Sequence, residues 1–168
     1  STSGTITQWF KKEFAKDLDS EEAMQVLSEM AEKSPIGSKN LITLPYFSGE
    51  RTPIQDPNSC GIIFGLNLTH KREDIYRSII EGISYGASHI IETFMRSDFI
   101  PKKLFAVGGG VKNKIWTSSI SNISSLSQEL KSKTIGASYG NSFLAALSLG
   151  DVDISDIDSW NKTNQIIN

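Results

Sequence analysis

The chain has 168 residues, of which 38% are hydrophobic and 21% charged. That mixture and length support one folded domain with its own core and exclude a disordered or fibrous chain. Seventeen basic residues stand against nineteen acidic ones, a net charge of −2, which excludes a broadly basic surface for nucleic acid or anionic membrane.

The single cysteine, Cys60, leaves no intrachain disulfide and suits a reducing, cytoplasmic setting. The first residues, STSGTITQWFKKEF, hold no apolar run of the signal-peptide kind, and nowhere do about 18 apolar residues follow one another. No export or membrane span is expected. The Asn-x-Ser/Thr triplets at Asn67, Asn122 and Asn161 are too short to carry weight.

In chain order, Ile6, Trp9, Phe10 and Phe14 fall at helical spacing. A second helix is expected from Asp19, with Glu22 completing a capping box and Ala23, Val26, Leu27 and Met30 forming its apolar stripe. Ser34-Pro35-Ile36-Gly37 breaks the pattern, and Leu41–Leu44 reads as a short strand. It enters the loop LPYFSGERTPIQDPNSCG, where prolines 45, 53 and 57 forbid regular helix or central strand. Tyr46, Phe47 and Ile54 can anchor this long loop. Glu50 and Arg51 read either as a bracing ion pair or as lining for a substrate cleft.

After an apolar strand or turn, Gly61–Leu66, Thr69 is placed to cap a long helix that buries Ile75, Ile79, Ile80, Ile83, Ile90, Ile91 and Phe94. Each glycine within it, Gly82 and Gly86, costs about 1 kcal/mol relative to alanine, so close helix packing is expected there. His89 has no histidine or cysteine at ligand spacing and is assigned no chemistry.

Leu104–Val107 reads as a buried strand, followed by Gly108-Gly109-Gly110 and a helix marked by Ile115, Trp116, Ile120 and Ile123. Strand, glycine turn and helix can cradle a phosphate or nucleotide, because glycines remove obstructing side chains and a helix start offers free amides. A plain tight turn is the alternative. The stretch lacks the Gly-Lys-Ser/Thr ending of a P-loop and the G-x-G-x-x-G of a dinucleotide site, and no acidic partner supports NAD binding. A further strand is expected at Gln128–Lys131, then a helix opened by Gly136, Ala137, Ser138 and Gly140, with Phe143, Leu144, Leu147 and Leu149 as core candidates and Gly150 as its stop. The tail has an amphipathic turn around Ile154, Ile157 and Trp160, then polar residues expected to fray. Alternating helices and strands make this an α/β layer with a partly parallel sheet.

Three segments together resemble one family over most of the chain, from Gly4 to Trp160: LPYFSGERTPIQDPN with GIIFGL, Asp74-Ile75 and Ser78-Ile79-Ile80-Glu81-Gly82; AVGGGVKNKIW; and GASYGNSFLAA. They are similar to the FGGY carbohydrate kinases, most of all to xylulokinase-like members. The resemblance implies an α/β, ribonuclease H-like (actin-like ATPase) fold. Residues 1–168 would form a single-domain portion of the second domain of a two-domain, cytoplasmic sugar kinase, lacking its first strands and phosphate hairpin. It implies ATP and Mg²⁺ as cofactors, bound mainly by the complete enzyme, and phosphoryl transfer to a ketopentose such as D-xylulose. No catalytic residue or metal ligand is assigned to this chain, since the base is expected in the amino-terminal sugar-binding domain, its partner. By position, Gly109, Gly110 and Asn113 would meet the adenosine end of the nucleotide, with Gly108 and Val111 shaping the loop. Ser118 stands where the family often has glutamine, and Asn141 and Ser142 where small alanines are usual. The portion alone is expected to be inactive, because aligning two reactants needs both halves of the cleft. The competing reading is a non-catalytic module kept for nucleotide sensing or oligomerisation, such as a homodimer.

Overall fold

The computed structural model describes residues 3–18, 22–97 and 99–168. Helix α1 (Ser3–Phe14) places Ile6 and Phe10 one turn apart on a single buried face. Phe10 stacks on Phe14 and tilts against Tyr76, both at 5.3 Å between ring centroids. In α2 (Ala23–Glu32), Ala23, Leu27 and Ala31 repeat every four residues and are fully buried. The helix starts later than expected: Glu22 occupies the cap position with no side-chain cap bond, and Asp19 lies outside the described residues.

Gly37, Ser38, Lys39 and Asn40 all have left-handed backbones, with φ of 80°, 48°, 54° and 69°. Three of them carry side chains, so this turn needs support from outside. Helix α3 (Arg72–Met95) supplies it. The Glu81 carboxylate accepts from the Gly37 amide at 3.1 Å and the Ser38 hydroxyl at 2.8 Å, and Lys39 Nζ reaches Asp74 at 2.9 Å. Arg77 donates through Nε to Glu81 at 2.9 Å and through Nη1 to the Ser34 carbonyl at 2.9 Å. Burial pushes the Asp74 carboxyl up, but Lys39, the Lys71 amide and Ser34 outweigh it and hold the group below its ordinary value.

Thr69 does not cap α3. Its hydroxyl donates to Asn67, and the helix start is instead secured by Asp74, which accepts from the Lys71 amide at 2.9 Å. Ile79, Ile80 and Ile83 are buried as expected, whereas Ile90 and Ile91 are half-buried and Phe94 is 54% exposed. The first half of α3 is wrapped by α1, α2 and the left-handed turn; its last turns run beyond them.

Strands β1 (Ile42–Leu44) and β2 (Ile62–Phe64) form an antiparallel hairpin with Thr43 opposite Ile63. Thr43 faces α3, bonded to Ser78 at 2.8 Å, and a Cβ on Gly82 would lie 2.3 Å from the Thr43 carbonyl oxygen. The close packing expected at Gly82 is therefore real, but the neighbour is a strand. Between the two strands, the long loop is closed by Glu50 and Asp56 backbone bonds of 2.8 and 2.7 Å. Phe47 packs on Trp9 at 5.0 Å. The Glu50 carboxylate accepts from the backbone amides of Arg51 and Thr52, at 2.8 and 2.9 Å, so its bracing bonds are to main chain rather than the ion pair with Arg51 that was one of the two readings.

The second sheet has the order β3 (Leu104–Ala106), β4 (Gln128–Lys131), β5 (Thr163–Ile167), with β3 and β4 parallel and β5 antiparallel to β4. Helix α4 (Lys114–Ser124) makes the crossover from β3 to β4 and buries Ile115 in the main core. Helices α5 (Ala137–Leu149) and α6 (Ile157–Trp160) follow. The carboxy-terminal residues do not fray: Thr163 donates to Glu129 at 2.6 Å and accepts from Lys131 at 2.9 Å, so a polar segment is tied into the sheet. Of the core candidates on α5, Phe143 alone is buried, packed edge-on against Trp160 at 5.4 Å, while Leu144 and Leu149 are 59% and 76% exposed and Leu147 is half-buried. Tyr139 and Phe143 of that helix both pack on Trp160 of α6.

Candidate nucleotide-binding site

Parallel β3 and β4 deliver their loops to one edge of the sheet, and crevices beyond such strand ends are where α/β proteins commonly bind ligands. The Gly108 amide donates to the Thr134 carbonyl at 2.9 Å, so the loop into α4 and the loop into α5 lie side by side. The three consecutive glycines do three different things. Gly108 has φ 91°, a conformation that side chains resist. Gly109 has ordinary backbone and open space where a Cβ would be. A Cβ on Gly110 would come within 3.3 Å of the Trp116 ring, so that residue is packed from beneath. Val111, half-buried, and Asn113 complete the turn.

Asn113 is the N-cap of α4. Its Oδ1 accepts from the Trp116 amide at 3.1 Å, which fixes the orientation of the amide group, because the backbone N–H can only donate. Nδ2 thus faces α2 and donates to Ser28 Oγ at 2.9 Å. Ser28 in turn donates to the Met24 carbonyl at 2.8 Å. The Tyr76 hydroxyl, on a fully buried ring, faces Ser28 and Asn113 and has no hydrogen bond of good geometry. Burial pushes that phenol up to about 12, with Ser28 and Asn113 acting in the opposite sense.

A groove of about 1410 Å³ runs past this turn, lined among others by Gly109, Gly110, Val111, Asn113, Ser28 and Tyr76. Gly108 shapes the loop without lining the groove. Ser118 lies elsewhere: its hydroxyl bonds back to the Lys114 carbonyl at 2.7 Å and lines a smaller pocket of about 240 Å³ beside Arg77 and Glu81. Asn141 and Ser142 are exposed on α5. The expected residues are thus brought together on one turn. Ser28 and Tyr76 were not legible as candidate site residues, since they lie 85 and 37 positions before Asn113 and carry no motif.

An α/β domain with a glycine turn at the ends of two parallel strands agrees with the ribonuclease H-like, actin-like ATPase fold that the resemblance implies. Solved structures bear this out: a ligand-bound xylulose kinase from Lactobacillus acidophilus superimposes with a TM-score of 0.83 at 28% identity, covering 98% of this chain and 33% of that one. Residues 1–149 match the model for the FGGY family of carbohydrate kinases, C-terminal domain, and the chain belongs to that family. It is 31% identical over 147 residues to a xylulose kinase of Bacillus subtilis strain 168, covering 88% of this chain and 29% of that protein. It is 29% identical over 172 residues to a gluconokinase of the same organism, covering 98% of this chain and 32% of that protein. The chain therefore spans about a third of the length of the curated relatives it matches.

Proposed function

We propose that these residues form the adenosine-binding lobe of an ATP-dependent sugar kinase that phosphorylates a ketopentose such as D-xylulose. The observation that carries this is Gly109: on the rim of a groove of about 1410 Å³, its peptide is open to close approach by a ligand, while Gly110 and Asn113 on either side of Val111 are held from behind by Trp116 and Ser28. A flat adenosine needs such a rigid, side-chain-free ledge. Gly108, Gly109, Gly110, Val111 and Asn113 are the proposed nucleotide contacts and loop formers.

In the complete enzyme the γ-phosphorus–oxygen bond to ADP breaks, the sugar hydroxyl oxygen takes its place, and the hydroxyl proton passes to a carboxylate of the amino-terminal domain. Mg²⁺ would neutralise the phosphate charge, held mainly by that complete enzyme; this chain is assigned no metal ligand. The role of residues 1–168 is to seat the nucleotide and close the cleft, and alone they are proposed to be inactive. The ketopentose assignment rests on the xylulose kinases among the relatives, and gluconate is its direct competitor, given the gluconokinase likeness.

ADP formation by the full-length protein, measured with D-xylulose, D-ribulose and gluconate at equal concentration, tests the proposal. The highest kcat/KM is expected with D-xylulose. A preference for gluconate overturns the ketopentose assignment, and ADP formation with none of them favours the non-catalytic module.

A further inference from the structure

Buried hydroxyls without a hydrogen bond are uncommon and call for a reason, because leaving such a group unsatisfied is destabilising. Tyr76 is one. Its ring is fully buried between α1 and α2, where a phenylalanine would fill the same apolar space, yet the hydroxyl is retained and points at Ser28 and Asn113. The polar inventory around it is short. Ser28 has spent its only proton on the Met24 carbonyl and so meets Asn113 as an acceptor, with one further lone pair to offer. Asn113 Oδ1 accepts at the helix cap and keeps a second lone pair. Of this cluster, the Tyr76 hydroxyl proton and the second Nδ2 proton of Asn113 are not used by these bonds.

We propose that Ser28 and Tyr76 are positioning residues of the nucleotide site: Ser28 holds the Asn113 amide in the pose that caps α4 and so fixes the Gly109–Gly110 ledge, and the unbonded Tyr76 hydroxyl beside them takes up a bond within this cluster when a bound nucleotide pulls on the ledge. This rests on the reading of the glycine turn as the nucleotide seat. Neither residue needs to touch the ligand. Ser28 comes from α2 and Tyr76 from α3, so the tie runs from the glycine turn into the main helical core, and binding at the ledge is braced by that core rather than by the turn alone. A hydroxyl with a proton to give, facing both Ser28 and Asn113 but bonded to neither, is suited to follow a small shift of Asn113 as the groove fills.

The test uses the full-length protein and steady-state kinetics with D-xylulose. Tyr76→Phe and Ser28→Ala are each expected to raise the KM for ATP several-fold, with kcat and the KM for sugar changed less than two-fold; Ser28→Thr, which keeps the hydroxyl, is expected to restore the KM for ATP. Because Tyr76→Phe removes an unsatisfied hydroxyl from an apolar site, its folding stability is expected to hold or rise, which separates positioning from simple packing. Unchanged KM for ATP in both variants overturns the inference. Gly109→Leu distinguishes the two layers of the argument. If it abolishes nucleotide binding while Tyr76→Phe and Ser28→Ala leave KM untouched, the seat stands and the positioning role falls. If Gly109→Leu binds ATP as well as the parent protein, the seat itself is wrong and both fall together.

Discussion

Glycine at a given position is informative only when its missing Cβ is placed in three dimensions. Gly82 and Gly86 look alike in the sequence, both interrupting one helix, and their expected cost is the same. Their surroundings differ. At Gly82 a Cβ would sit 2.3 Å from the Thr43 carbonyl oxygen, whereas at Gly86 it would make an ordinary contact of 3.7 Å with Pro45. Gly82→Ala is therefore expected to destabilise the protein by about 1–3 kcal/mol through overpacking. Gly86→Ala should stabilise it by up to about 1 kcal/mol through helix propensity. Urea denaturation of the two variants checks the opposite signs. The same logic sorts the glycine turn: Gly110 abuts Trp116 and Gly108 has φ 91°, so substitutions there disturb the fold, but Gly109 can be changed without meeting a neighbour. This contrast was not legible in three identical letters. Asn113 was legible as a candidate site residue, but its tie to Ser28 was not, because the partner comes from a helix 85 residues earlier.

At the scale of elements, apolar periodicity found what it is suited to find. The long helix, the strand before the glycine turn and Gln128–Lys131 all formed, but the first strand is not the buried one expected, since Phe105 and Val107 are 55% and 52% exposed, and the buried face of the second is Gln128 and Leu130. Strand β5 was missed because its sequence, Thr163–Ile167, is held largely by hydrogen bonds to Glu129 and Lys131 on a neighbouring strand. Thr69 lost the capping role to Asp74 for a similar reason: that carboxylate was already fixed by Ser34 and Lys39 from outside the helix. The polar side of the small sheet makes its own prediction. Lys103, Thr163 and Lys131 hold the Glu129 carboxyl down to about 2, against an ordinary 4.5. The folded state thus favours the ionised form, and the stabilisation is complete above pH 4.5 and lost as pH falls from 4.5 towards about 2. Thermal melts across that window should show a shallower loss of stability for Glu129→Gln than for the parent protein. An equal slope would mean that the cluster contributes nothing to acid sensitivity.

For the whole molecule, the family and fold class were readable from three separated segments, because each combines turn-forming glycines or prolines with a helix start at fixed spacing. The degree of burial was not. Phe94, Leu144 and Leu149 have the apolar character of core residues and are open in this chain, which spans about a third of its relatives. Strand β3 has β4 on one side and no partner on the other among the described residues. Since the Leu104 and Gly108 amides point towards the β4 side, the amides of Phe105 and Val107 point outward. In the full-length protein they are expected to exchange slowly with solvent, paired with a further strand; rapid exchange there would argue against a larger sheet.

The central claim, that the open ledge at Gly109 seats the nucleotide, is tested most directly by titrating ADP with Mg²⁺ into full-length protein in a calorimeter, comparing the parent with Gly109→Leu. A Cβ at this position meets no neighbour within 4 Å, so the variant should fold normally, as circular dichroism and melting temperature would verify. The expected result is nucleotide binding by the parent and a loss of at least ten-fold in affinity for the variant. Equal affinity in a normally folded Gly109→Leu would contradict the account.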